Sequence, residues 1–170
     1  MKKILFISFS CCILFSLMAK AQRIETLLEK NWKFTKGEVA EAMKPEFDDR
    51  KWETVTVPHD WAIFGPFDRS NDLQEVAVTQ NFEKKASVKT GRTGGLPYVG
   101  IGWYRTTFDA PADQQTTLVF DGAMSEAHVY VNGQEACFWP FGYNSFHCDV
   151  TGLLNKDGKN NTLAVRLENK

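Results

Sequence analysis

The chain has 170 residues, 20 basic against 21 acidic, and 43% of its side chains are hydrophobic. That length accommodates one domain of ordinary size and excludes two large ones. The near-even charge balance supplies no basic face, so no nucleic acid partner is expected.

The first stretch is not fold. Met1-Lys2-Lys3 makes a short positive end, Ile4 to Met18 is an apolar run broken only by serines and cysteines, and Ala19-Lys20-Ala21 follows as a small-x-small site. That order is the pattern of an export signal. We expect cleavage after Ala21, a mature domain over residues 22–170, and a periplasmic or extracellular location. The competing reading, a lipid anchor on Cys11, has only the poor lipobox Ser8-Phe9-Ser10. The apolar run is shorter than the ~20 residues of a spanning helix, so no membrane association is expected after cleavage. Losing the segment leaves 17 basic against 21 acidic residues, a net charge of −4. Cys11 and Cys12 leave with it; Cys137 and Cys148 remain, and sequence leaves both a disulfide and two free thiols open.

In the mature chain, Glu38 to Met43 fits a single helical turn and Phe47-Asp48-Asp49 a loop. Trp52 to Val57 alternates as a strand. Next comes "TVPHDWAIFGPF", in which His59 and Asp60 look like half of a catalytic relay. Neighbouring side chains in an extended backbone point to opposite faces, so Asp60 is badly placed to orient His59. No serine or cysteine has a nucleophile setting either. The pair is read as scaffold: Pro58 ends the strand, Asp60 caps the following turn, and Trp61 fills core. Phe82 to Val99 is a long polar stretch, "FEKKASVKTGRTGGLPYV", expected as a functional loop.

Further alternating runs follow at Trp103 to Phe108, Thr117 to Phe120, Ala127 to Val131 and Thr162 to Leu167. Turn signals separate them at Asp109-Ala-Pro, Asp121-Gly122, Asn132-Gly133 and Asp157-Gly158. Asn132-Gly133 is the sharpest, because a two-residue type I′ turn needs positive φ at both central positions. A hairpin of Ala127–Val131 with Gln134–Phe138 is therefore expected. Many short strands without helical periodicity indicate an all-β antiparallel β-sandwich.

Phe138, Trp139, Phe141, Tyr143 and Phe146 could form a platform for stacking sugar; they are read here as core, as are Trp32, Trp52 and Trp103. Acids such as Asp48, Asp49, Asp60, Asp109, Asp121 and Asp149 sit beside turns, where capping accounts for them. His128, His147, Cys137 and Cys148 lack metal-ligand spacing, so no metal is expected. Gly91-Arg92-Thr93-Gly94-Gly95 lacks the Lys-Ser/Thr pair of a phosphate loop, and no cofactor is expected.

Five segments in order, "FDDRKWETVTVPHDW", "GIGWYRTTFDAP", "LVFDGAMSEAHVYVNGQ", "GYNSFHCDVTGLL" and "NNTLAVRLEN", resemble the N-terminal sugar-binding domain of glycoside hydrolase family 2. That family includes β-galactosidases, β-glucuronidases and β-mannosidases, and the PHDW and G-x-G-W-Y-R forms look most like its exported β-galactosidase-like members. The resemblance runs from about Trp32 to Asn169. It implies a jelly-roll, galactose-binding-like domain that precedes an immunoglobulin-like domain and a (β/α)₈ barrel. In the family the barrel carries the two glutamates of retaining hydrolysis, roughly 5 Å apart. No catalytic residue is therefore assigned in this chain, and it is expected to lack turnover of its own. The implied partners are a β-linked carbohydrate and the remaining domains of the parent enzyme.

By position, the loop before Trp103 would reach the barrel mouth. Within it Arg92 and Tyr98 are the candidate substrate-binding residues, Arg92 as a multidentate donor and Tyr98 as a flat face with a hydroxyl. Two other readings have their own motive: a stand-alone carbohydrate-binding module and a non-enzymatic sandwich that pairs with another protein.

Overall fold

The computed structural model describes residues 23–68, 70–71, 73–91 and 98–169. The expected export signal and Arg92 lie outside them. Ten strands run in chain order: β1 Trp32–Lys36, β2 Glu53–Val55, β3 Leu73–Val76, β4 Ser87–Thr90, β5 Ile101–Phe108, β6 Thr117–Phe120, β7 Ala127–Val131, β8 Gln134–Trp139, β9 Phe146–Asp149 and β10 Asn161–Glu168. They form a six-stranded sheet ordered β2-β1-β5-β10-β7-β8 and two pairs, β6-β9 and β3-β4. Among the described residues every strand pairing is antiparallel, so the expected β-sandwich is the observed architecture. Among the described residues no helix is long and apolar enough to cross a membrane.

Period-two alternation decides what lies inside. In β7, Ala127, Val129 and Val131 are fully buried while His128 and Tyr130 between them stay partly open. Leu163, Val165 and Leu167 of β10 and Tyr104 and Phe108 of β5 join the same core, which closes against Leu118 of β6 and Phe146 and Cys148 of β9. Trp61 completes one end by lying flat on Gly102, where an added Cβ would come within 2.5 Å of the indole. Glycine in mid-strand is the residue that lets a ring seat directly on backbone.

The opposite face of the large sheet is covered by the segment over residues 37–52. Ala42, with Val39, Met43 and Trp52, packs there on Trp103 and Ala164. Arg105, only 3% exposed, pins the segment. Its Nε donates to Asp49 Oδ2 at 2.9 Å, and Nη1 donates to the carbonyls of Ala42 and Lys44. Asp49, read from sequence as a turn cap, is thus the counter-ion of a buried guanidinium. The expected helical turn at Glu38 to Met43 is a chain of tight turns: Ala42 N–H donates to Val39 O and Lys44 N–H to Glu41 O. Glu41 at φ 64° and Pro45 just beyond block a continuing helix.

The Asn132-Gly133 turn is as expected, with φ of 50° and 82°. Asn132 does more than turn: its amide donates to Leu153 O at 2.8 Å and Asn161 Oδ1 at 2.9 Å, tying the hairpin to the 153–161 connection. Cys137 and Cys148 form a disulfide with Cα atoms 5.7 Å apart. It joins edge strand β8 of the large sheet to β9 of the small one.

Two expectations need correction. The stretch from Phe82 to Val99 is not loop throughout, because Ser87–Thr90 pairs with Leu73–Val76 as a two-stranded ribbon. Both its strands are almost wholly exposed, so they carry no alternating apolar face to read. The aromatic run after Cys137 is not uniformly core: Phe146 is 4% exposed, but Phe138, Phe141 and Tyr143 are 46%, 60% and 89% exposed.

Candidate functional site

His59 and Asp60 are scaffold. Asp60 Oδ1 accepts the backbone N–H groups of Ala62 and Ile63 at 3.0 and 3.2 Å, the expected cap. His59 Nδ1 lies 2.9 Å from the Tyr104 hydroxyl, and its ring packs edge-on to Phe34. Burial pushes the Tyr104 phenol well above its ordinary value, and the Asp60 and Glu53 charges add to the effect. This pair holds the chain rather than turning over a substrate.

The candidate site is one end of the sandwich, where four connections and the last strand meet. At this end β1 finishes at Lys36, β5 begins at Ile101, β7 begins at Ala127 and β8 finishes at Trp139. Tyr98 stands on the connection before β5. Its ring meets Trp61 edge-on at 5.8 Å, and Lys36 Nζ lies over it at 5.0 Å. The Lys36 ammonium also donates to the carbonyl of Gly65, so one cation ties Tyr98 to the 61–68 loop.

Asn169 links Tyr98 to the rest of this end. Its side-chain amide donates to Tyr98 O at 2.8 Å and its Oδ1 accepts Gly100 N–H at 2.7 Å. One residue earlier, Glu168 exchanges backbone hydrogen bonds with Ser125, whose hydroxyl also donates to Glu168 O at 2.6 Å. Met124 then packs on Gly142, where a Cβ would lie 2.8 Å from the methionine Cγ. Phe141 and Tyr143 flank that glycine. The exposed apolar residues Phe64, Phe67, Met124, Phe141 and Tyr143 therefore lie on loops gathered around one rim.

Chemically, the rim offers flat apolar faces, hydroxyls and backbone groups. Flat rings that cover one face of a pyranose while polar groups meet its hydroxyls are the makings of a sugar surface. Of the two residues chosen from sequence, Tyr98 stands on the rim and is half-buried, whereas Arg92 lies outside the described residues. Sequence reading missed Lys36, Phe64 and Asn169 as members. The signal for Phe64 was present in "IFGPF", two aromatics bracketing Gly65-Pro66, a combination common where a loop shows apolar side chains outward. Lys36 and Asn169 are brought in only by strand register, which no local pattern announces.

No group of three or more His, Cys, Asp or Glu suited to a metal ion occurs among the described residues. Cys137 and Cys148 are joined to each other, and His128 Nδ1 pairs with Glu135 at 2.7 Å.

Comparison with known proteins bears on the family and the fold. Residues 101–170 match a family model described as glycosyl hydrolase 2 galactose-binding domain-like. A protein of Formosa agariphila, named as a β-glucuronidase, is 36% identical over 94% of this chain, a span equal to 14% of that protein. The β-galactosidase BoGH2A of Bacteroides ovatus is 34% identical over 93% of this chain and 17% of its own length. Among solved structures, a Bacteroides uniformis β-glucuronidase superposes with TM-score 0.65 at 28% identity, covering 85% of this chain and 14% of that one. A family 2 glycosyl hydrolase from Bacteroides cellulosilyticus gives TM-score 0.66 at 30% identity, covering 85% of this chain and 18% of the other. The chain thus spans less than one fifth of each of these proteins.

Proposed function

Since the chain belongs to the galactose-binding-like N-terminal domains of glycoside hydrolase family 2, we propose that it shapes the substrate pocket of a β-glycosidase whose reacting carboxylates lie on another domain. The single observation carrying this reading is the identity of 34–36% to two glycosidases across more than nine tenths of this chain, confined to less than one fifth of theirs. A domain in that position acts by orienting a sugar, and orientation alone lowers a barrier by confining the reactant. We place the non-reducing sugar at the rim, with Tyr98 stacking on the ring and Arg92 meeting hydroxyls. The relatives' names span β-galactosidase and β-glucuronidase, and β-galactoside is the substrate we favour.

We further propose export through residues 1–21, cleavage after Ala21, and work outside the cytoplasm on β-linked glycans. A chain of that kind meets its polymer substrate without uptake.

The test is kinetic. In the polypeptide that joins this domain to its barrel, Tyr98→Ala should raise KM for a nitrophenyl β-glycoside about tenfold, the loss of roughly 1.4 kcal/mol of sugar stacking. Unchanged KM and kcat would remove Tyr98 from the pocket. The reading as a stand-alone carbohydrate-binding module keeps one specific support, the 60% and 89% exposure of Phe141 and Tyr143. It predicts sugar affinity in this chain alone that Tyr143→Ala abolishes.

A further inference from the structure

Beside the rim, and separated from Tyr98 by Trp61, a cleft of about 330 Å³ opens along edge strand β2. Phe34 and Trp61 form its buried floor, Phe64 one wall, and Glu53, Thr56 and His59 its polar side. The polar groups are unspent. Among the described residues the Glu53 carboxylate and the Thr56 hydroxyl enter no hydrogen bond or ion pair, while Phe64 is 80% exposed. His59 spends Nδ1 on the Tyr104 hydroxyl at 2.9 Å, which leaves Nε2 as its remaining polar atom.

We infer that this cleft is a second carbohydrate subsite, holding a neutral pyranose one or more units along the same glycan that the rim engages. The inference rests on the sugar-binding reading of the rim and extends it from a monosaccharide pocket to a chain-recognising surface. The chemistry selects the ligand. Phe64 covers the apolar face of a ring, the Glu53 carboxylate accepts from vicinal hydroxyls, and Nε2 of His59 and the Thr56 hydroxyl supply two further polar contacts. An unpaired carboxylate disfavours a uronate or sulfated unit at this position. A phosphate is disfavoured for the same reason. Lys36 also lines the cleft, but its ammonium is engaged by the Gly65 carbonyl and the Tyr98 ring. Because Trp61 is the shared wall of cleft and rim, occupancy of either changes the surroundings of one indole.

The experiment uses the full chain, with β-1,4-linked galacto-, gluco- and manno-tetraoses and the corresponding methyl β-monosaccharides, followed by calorimetry and tryptophan fluorescence. At least one tetraose should bind ten times more tightly than its monosaccharide. Glu53→Gln and Thr56→Ala, both at exposed positions, should cut the tetraose affinity about tenfold and leave the monosaccharide's unchanged. Tyr98→Ala should weaken both ligands. Tetraose binding that neither Glu53→Gln nor Thr56→Ala alters would overturn the cleft and leave the rim standing. Equal affinity for tetraose and monosaccharide would do the same. No affinity for any of the sugars would sink the rim reading, and the cleft with it.

Discussion

At the scale of single residues, the molecule keeps its charges where they hold chain segments in place. Arg105 is the clearest case, a nearly buried guanidinium shared between Asp49 and two carbonyls. Removing one partner of such a pair leaves the other charge buried and uncompensated, which costs about 3–5 kcal/mol. Asp49 is itself 27% exposed, so Asp49→Asn should lie at the lower end, about 3 kcal/mol in urea unfolding, loosening the 37–52 segment first. A loss under about 0.5 kcal/mol, the size of an ordinary surface change, would contradict this account. Glu38 sits at the edge of the same cover: burial raises its carboxyl, but the Arg166 guanidinium and Trp103 indole outweigh that and hold it below the ordinary 4.5. Tyr104 gives the alkaline counterpart. Its raised folded value means that stability is intact below the ordinary tyrosine value near 10 and falls as pH rises above it, when only the unfolded phenol ionises. Absorbance titration should find one tyrosine resisting ionisation beyond the rest until the chain unfolds, and Tyr104→Phe should remove that signal. If all four tyrosines ionise together near pH 10, the buried His59 contact is not formed in solution.

Elements differ in how they announce themselves. β6 and β7 were legible because each has one buried and one more open face. β5 and β10, though covered on both faces, were legible because core apolar residues such as Tyr104 and Phe108 or Leu163, Val165 and Leu167 still alternate with small, polar or charged ones. β3 and β4 were not, since "LQEV" and "SVKT" are exposed on both faces and no core selects their residues. The aromatic run at 138–146 misled for a related reason. It crosses from edge strand β8 through an open loop into β9, so rings of one composition have opposite fates. The β7-β8 hairpin was fully legible, as only a few residue types tolerate its backbone. Gly133 sits at φ 82°, with space for a Cβ only 3.2 Å from Pro45 Cδ. Gly133→Ala should cost about 1–3 kcal/mol in thermal or urea unfolding, whereas a neutral or stabilising outcome would mean that the turn is not type I′. The disulfide closes a separation of 11 residues between the two sheets. Reduction, or Cys137→Ser, should lower stability by about 2–4 kcal/mol, and identical unfolding curves with and without reductant would show the bond absent.

Across the whole molecule, architecture and function are legible to different depths. The sandwich follows from strand number, alternation and turn chemistry. The rim does not, because it is assembled by register: Lys36 from β1, Tyr98 before β5, Met124 before β7, Phe141 after β8 and Asn169 after β10 are scattered along the chain and meet only in the fold. One of the two residues chosen from sequence, Tyr98, falls in this gathering because it precedes the central strand β5. The central claim is that such a domain positions sugar for chemistry done elsewhere. Its most direct test is turnover of a panel of nitrophenyl β-glycosides by purified residues 22–170 alone, and again by the same domain fused in place of its counterpart in a family 2 relative such as BoGH2A. We predict no hydrolysis by the short chain and hydrolysis by the longer one, with β-galactoside preferred. Turnover by the short chain alone would contradict the claim, because it would require reacting carboxylates within this domain.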